Sequence, residues 1–220
     1  LYVVPPDVLY GENYVYRTSA NKQSATANAS YIKFVEAIIG DQRFNCILEL
    51  GCNDGSTLAR FADRSQELFG IDPIWRLNSK PPEVANLNTI PKFIEDVNFC
   101  TDLSNPPDLI LSSHNLEHIQ CPEYQMHRVV EASADGALFV FEVPALEPMF
   151  DHRRYDKVFH EHLHYFSLNT LRSMINRLGC QLVHHDMSAT WGGSHQIAFR
   201  KARSASSITL FNQPSPSNEQ

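Results

Sequence analysis

No two cysteines of this chain stand at the C-x-x-C spacing of a zinc ribbon or a redox pair. The five present, Cys46, Cys52, Cys100, Cys121 and Cys180, are odd in number and scattered. That pattern argues against a disulfide framework and a structural zinc knuckle, and reduced thiols predict a cytoplasmic setting. Dense basic runs are missing as well: 18 Lys and Arg against 25 Asp and Glu leave a net charge of -7 and a pI near 5.8. A phosphate-backbone partner finds no electrostatic footprint, so nucleic acid is not an expected ligand. No apolar run approaches the roughly 20 residues of a membrane span, and LYVVPPDVLYGENY at the start lacks the charged and apolar regions of a signal peptide. No membrane partner is expected. What remains is a chain of 220 residues, 43% hydrophobic, able to bury a sizeable core as one domain with a small appendage.

Residues 1 to about 22 are rich in Pro and Tyr and read as irregular. SATANASYIKFVEAIIG then carries Ile32, Val35 and Ile39 at helical spacing with Gly40 as a stop, so 1–40 form an N-terminal segment ending in a helix. FNCILEL is a short buried-type strand entering the glycine loop GCNDG, with a helical STLARFADR behind it. ELFGID predicts a second strand ending at Asp72, NTIPKFI a third, DLILSS a fourth and ALFVFEVP a fifth, with a helix from about Glu123 to Ala134. SLNTLRSMINRLG is an amphipathic helix closed by Gly179, followed by CQLVHHDM and HQIAFRKA as closing strands. Strands alternating with helices predict an α/β fold over 41–201, a doubly wound and mostly parallel sheet. The tail, 202–220, has linker composition and is predicted to be disordered.

Ligands of such a sheet bind outside the carboxyl ends of its strands. There ILELGCNDGS places Glu49, Gly51 and Gly55, and the glycines let backbone approach a ligand closely. The dinucleotide pattern G-x-G-x-x-G is absent, because Asn53 stands at the second glycine position and Asp54 follows it. A carboxylate at a helix N-terminus competes for the amides that a pyrophosphate would use, and Glu49 adds a second negative group. The loop therefore favours a cofactor without phosphates that carries positive charge. S-adenosylmethionine, with its ammonium and sulfonium groups, fits that description. About twenty residues on, Asp72 ends the next strand, where a carboxylate accepts ribose hydroxyls. An ordinary strand-to-helix turn, with Asp72 as a strand-end cap, is the plain alternative.

ELGCNDG, GID and DLILSSHNLEHI resemble the first, second and fourth signature segments of class I S-adenosylmethionine-dependent methyltransferases, over Phe44 to Pro144. CNDG, FEVP, VFHEHLHYFS and WGGS together resemble the catalytic core of sugar C-methyltransferases that act on nucleotide-linked keto-deoxysugars. The resemblance implies a Rossmann-like seven-stranded sheet with an antiparallel last strand. It implies that Gly51, Asn53 and Gly55, with Glu49 and Cys52 of the same loop, line the cofactor, that Asp72 holds ribose, and that His114 and Asn115 flank the methionyl part. It also implies a small-molecule acceptor, a nucleotide-linked or other sugar. Where most relatives of that kind have Asn, this chain has His114. They commonly carry flanking domains that this chain does not show, and it starts at Leu1, so it is read as open to being a piece of a larger multidomain protein.

VFHEHLHYFS gathers His160, Glu161, His162 and His164 within five positions. Methylating carbon requires removal of a proton next to a carbonyl, and a neutral imidazole, ordinary pKa near 6.5, can take it. By resemblance His162 is that base and Glu161 its partner, with His160 and Tyr14 completing the catalytic set. Relatives usually have Tyr just before HEH, and this chain has Phe159; Tyr14, Tyr16 or Tyr165 can replace the hydroxyl, or the reaction is O-methylation of another small molecule. Two rival accounts of the segment remain. His160, His162 and His164 alternate and can share a metal with His184 and His185, although without an H-E-x-x-H or cysteine pairing no metal is expected. Alternatively, the histidines hold a long loop onto the sheet, and the chain is a methyltransferase-like binding module without catalysis. In WGGS, Gly192 and Gly193 either admit a substrate to the backbone or form a glycine bulge.

Overall fold

A computed structural model describes residues 4–11, 14, 16–20, 22–77 and 81–203. The tail predicted to be disordered lies, from 204 onward, outside the described residues. In chain order the elements are α1 (Pro6–Leu9), α2 (Lys22–Ile39), β1 (Phe44–Leu50), α3 (Ser56–Ala59), β2 (Ser65–Ile71), β3 (Leu87–Ile90), α4 (Phe99–Asp102), β4 (Leu109–Ser113), α5 (Pro122–Ala132), β5 (Leu138–Pro144), α6 (Leu146–Asp151), α7 (Leu168–Arg177), β6 (Cys180–Ser188) and β7 (Ser194–Lys201).

The strands form one seven-stranded sheet in the order β3-β2-β1-β4-β5-β7-β6. All pairs from β3 through β5 are parallel, and β7 runs antiparallel to both β5 and β6. The chain winds outward from β1 to β3, then returns to β4 on the other side of β1. The carboxyl ends of β1 and β4 therefore splay apart at the switch point where a doubly wound sheet holds its ligand. Central strands in such a sheet are covered on both faces, which is why FNCILEL and LFVFEVP are nearly continuous apolar runs. On one face α2 packs Tyr31, Val35 and Ile39 against Ile47, Leu109 and Val140. On the other, α5 and α7 pack Met126, Val129, Leu171 and Ile175 against Phe139 and Phe199. The leading helix is thus part of the core.

Three sequence expectations shift for local reasons. The helix expected through STLARFADR stops at Ala59, where Arg60 and Phe61 donate to carbonyls three residues back and the chain tightens into 3-10 geometry to reach β2 in time. The strand expected through NTIPKFI stops at Ile90, because Pro91 has no N–H for the ladder. Within the stretch read as irregular, Pro6 opens the single turn α1. The amphipathic helix α7 starts as its sequence suggests, with Ser167 and Thr170 forming a capping box.

Tyr31 ties the helix layer to the sheet where the site opens. Its side chain is fully buried, its hydroxyl accepts from Ser112 N–H of β4 at 3.1 Å, and it donates to Val140 C=O of β5 at 2.7 Å. Tyr31→Phe should lower stability by about 1–3 kcal/mol, the cost of leaving buried backbone groups without that partner. Urea unfolding checks it: the midpoint should fall at unchanged slope.

Candidate functional site

At the carboxyl end of β1 the glycine loop turns under a cavity of about 510 Å³. Gly51 has φ of 67°, and a Cβ there would stand 2.6 Å from the Asn115 side chain, so only glycine permits the loop from β1 and the turn after β4 to meet. The two expected cofactor residues are thereby in contact. Asn53, also with positive φ, donates its N–H to Asp72 Oδ2 at 2.8 Å, and Asp72 Oδ1 accepts from Ile74 N–H at 2.9 Å. Burial nonetheless pushes the Asp72 carboxyl above its usual range. Glu49 is buried, its Oε2 without a partner among the described residues, and burial pushes it well above the carboxylate range, so the negative charge expected there is opposed by the protein itself. Cys52 is buried, its Sγ accepting from Trp75 Nε1 at 3.3 Å.

Two loop residues do something the sequence reading did not foresee. The Asn53 amide accepts from Thr18 N–H at 2.9 Å and donates to Tyr16 C=O at 3.2 Å, while Asp54 accepts from Ser19 N–H at 2.7 Å. Both clasp the N-terminal arm over the loop. Asp54 also accepts from Ser56 N–H at the start of α3. Despite burial, these bonds hold its carboxyl below its usual range. Gly55, with φ of 74°, faces Pro82 and Trp75 and does not line the cavity.

The turn after β4 builds the opposite half. Glu117 is fully buried, and neither carboxylate oxygen has a hydrogen-bond partner among the described residues. Around it stand His114, with Nδ1 at 3.4 Å, and His118, with Nε2 at 3.8 Å. His118 Nδ1 lies 2.8 Å from the Glu161 carbonyl, which can only accept, so Nδ1 carries a proton and Nε2 faces Glu117. Burial works against charge on Glu117, but the His114 and His118 imidazoles outweigh it and hold the carboxyl below its usual range. His114 is raised correspondingly: burial opposes its charge, and Glu117 and Glu142 overcome that. Glu142 is also buried, but its oxygens are satisfied by Gln196, Thr190 and Ser113 at 3.0 to 3.1 Å.

The histidine segment is pinned over this half by its backbone, since Leu163 and His164 N–H both donate to the Glu117 carbonyl, at 2.9 and 3.2 Å. His162 enters the cavity between Phe159, with ring centroids 4.1 Å apart, and His118, at 5.1 Å. Its Nδ1 is buried without a partner among the described residues. Burial lowers its pKa to about 4, Glu117 opposing and the neighbouring imidazoles assisting. Glu161 and Tyr14 also line the cavity. His160 does not: it is exposed, because the turn closed by His162 N–H on Phe159 C=O points it outward. His164 bonds the Gln120 carbonyl, His184 lies against Phe34, and His185 bonds His195, so the five-histidine metal set does not assemble. Instead Glu117, His118 and His162 bring ligand-type atoms within 4.8 Å of one another.

Sequence reasoning missed Glu117, His118, Glu142 and Tyr10, all of which line the cavity. The LEH stretch reads locally as an ordinary turn, and only its position after a strand marks it. The WGGS glycines line the cavity and also permit close packing: a Cβ on Gly192 would meet Arg154 at 2.8 Å, and one on Gly193 would meet Pro148 at 2.7 Å.

Among similar proteins, the C-methyltransferase NovU of Streptomyces niveus is 26% identical over 197 residues, covering 88% of this chain and 46% of the relative. The chain thus spans about half the length of that relative. Among solved structures, the N-methyltransferase NodS of Bradyrhizobium japonicum WM9 in complex with S-adenosyl-L-homocysteine superposes with a TM-score of 0.63 at 15% identity, covering 87% of this chain and 94% of that one. The 1,6-didemethyltoxoflavin-N1-methyltransferase of Burkholderia thailandensis gives 0.62 at 13% identity, covering 80% and 78%. These likenesses show the Rossmann-like fold. A family described as "Methyltransferase domain" matches residues 21–185, and the chain belongs to that family.

Proposed function

We propose that this chain is an S-adenosylmethionine-dependent methyltransferase acting on a small molecule, a nucleotide-linked or other sugar, with His162 as general base. The observation that carries the reading is His162 itself, an imidazole held neutral by burial, which lines the cavity that the glycine loop also enters and whose buried Nδ1 has no partner among the described residues. The residues present suit the cofactor: Glu49 would offer a carboxyl oxygen to an ammonium, Asp72 at its strand end would accept from ribose hydroxyls, and Asp54, which already occupies nearby amides, disfavours a pyrophosphate. Bound there, S-adenosylmethionine supplies an electrophilic methyl group. The chain's own work is to orient the acceptor, exclude water and take a proton. Carbon methylation needs that proton removed beside a carbonyl, and the name of the similar C-methyltransferase NovU supports carbon over oxygen as the acceptor atom.

Three outcomes are expected. By calorimetry, S-adenosylhomocysteine should bind and NAD should not, and Asp72→Ala should weaken nucleoside binding by roughly 1–3 kcal/mol; tight NAD binding with no heat from S-adenosylhomocysteine would sink the cofactor assignment.

With labelled cofactor and a panel of nucleotide sugars, His162→Ala should lower turnover by about 10²- to 10⁴-fold at nearly unchanged cofactor affinity. Because the lowered pKa keeps His162 neutral down to about 4, the acid limb of the rate profile should lie well below the ordinary histidine range. A mutant as fast as wild type would remove His162 from the mechanism.

The group of Glu117, His118 and His162 is proposed to move protons and hold no metal. Activity should survive chelation, and elemental analysis should find no stoichiometric zinc or iron; near-stoichiometric metal that vanishes in a His118→Gln variant would reverse this.

A further inference from the structure

Tyr10 is the residue that ends α1, its N–H closing the turn on the Pro6 carbonyl at 2.8 Å. Its ring stands edge-on to Tyr14, 5.1 Å between centroids, and edge-on to His118 at 6.1 Å, so it faces the histidine pair from the arm side of the cavity. The hydroxyl is buried and has no hydrogen-bond partner among the described residues. Buried tyrosine hydroxyls nearly always find a partner, and one without a partner on a residue that lines a cavity is a candidate donor to a ligand atom. Phe159, which packs on His162 from another side, brings no hydroxyl. Burial first and then the Glu161 charge hold the Tyr10 phenol above its ordinary ionisation, so it stays a donor throughout the working pH range.

We propose that Tyr10 is a catalytic residue that donates its hydroxyl hydrogen bond to the acceptor's carbonyl oxygen while His162 removes the proton from the adjacent carbon. The inference rests on the reading of His162 as base and of the acceptor as a keto-sugar. In this step the C–H bond breaks, the proton passes to the imidazole nitrogen, and the electron pair forms a C=C bond as the carbonyl π pair moves onto oxygen. The oxygen becomes an enolate, and the Tyr10 O–H shortens onto it without transferring its proton. A donor aimed where negative charge develops favours the transition state over the ground state.

The test uses Tyr10→Phe, which removes one oxygen and keeps the ring packing. Without ligand its Tm should equal that of the wild type, because no partner in the protein loses a bond; a clear fall would show a structural partner and overturn the proposal. Deuterium wash-in from D2O, followed by NMR on a panel of nucleotide-linked keto-deoxysugars with S-adenosylhomocysteine present, reads proton removal without methyl transfer. The variant should exchange about 10²- to 10³-fold more slowly than wild type, the usual loss for one such donor. If the wild type exchanges and Tyr10→Phe keeps pace, the role of Tyr10 falls while the base stands. If the wild type exchanges none of the panel, the acceptor reading fails and takes this inference with it.

Discussion

A carboxylate with no exposed surface, and with no hydrogen-bond partner among the described residues, is the constraint around which this cavity is built. Glu117 keeps its charge only because two imidazoles stand beside it, and its main-chain carbonyl holds the histidine segment in place. Removing water from a charge costs several kcal/mol unless opposite charge replaces it, so the positions of His114 and His118 are dictated by Glu117 as much as by any ligand. His118 in turn fixes Glu161 through the Nδ1 bond, and its ring stacks edge-on against His162. His162, the proposed base, is therefore positioned through a chain of contacts that begins at a buried acid. Burial, with the neighbouring imidazoles assisting against Glu117, keeps the His162 imidazole neutral.

How much of this could be read from residues alone follows from how far apart the interacting groups lie. The sheet was legible because each strand carries its own signal, an apolar run bounded by turn residues, and the pairing of GCNDG with Asp72 was legible because both ends belong to one strand-turn-helix-strand unit. The segment VFHEHLHYFS announced itself by composition, yet composition could not say which histidine turns inward. His160 and His162 differ only through a turn closed between Phe159 and His162. Glu117 and His118 sit in a stretch that looks like any amphipathic turn, and their meaning comes from contact with Glu161 and His162, more than forty positions later. No local pattern encodes such a meeting. Tyr10 was hidden in the same way, in a Pro- and Tyr-rich stretch whose path depends on Asn53 and Asp54.

Charge was the feature most distorted by reading the chain linearly. Glu49, Asp54 and Asp72 looked like three negative groups lining one loop. In the fold they are three different things: a buried acid pushed toward protonation, a capping carboxylate held ionised by backbone N–H groups, and a strand-end acid between the two. The sum still disfavours a phosphate, and through the competition for amides that the sequence suggested. The amides of Ser56 at the start of α3 and of Ser19 in the arm are already taken by Asp54. A cationic ligand reaching Glu49 would restore ionisation there, so binding and proton release at Glu49 are linked.

The same clasp connects the two halves of the cavity energetically. Thr18 and Ser19 hang from Asn53 and Asp54, and the arm they belong to carries Tyr10 and Tyr14 over the histidine pair. Among its described residues the arm has a one-turn helix without a buried residue in it, and these bonds and ring contacts tie it to the rest of the fold. Elements with few buried contacts sit at the low-stability end of a fold, and whatever stabilises their anchor stabilises them. The Asn53 N–H bond to Asp72 and the Asn53 amide bonds to Thr18 and Tyr16 join that arm to the strand end beside the glycine loop, so the arm and the loop share one anchor.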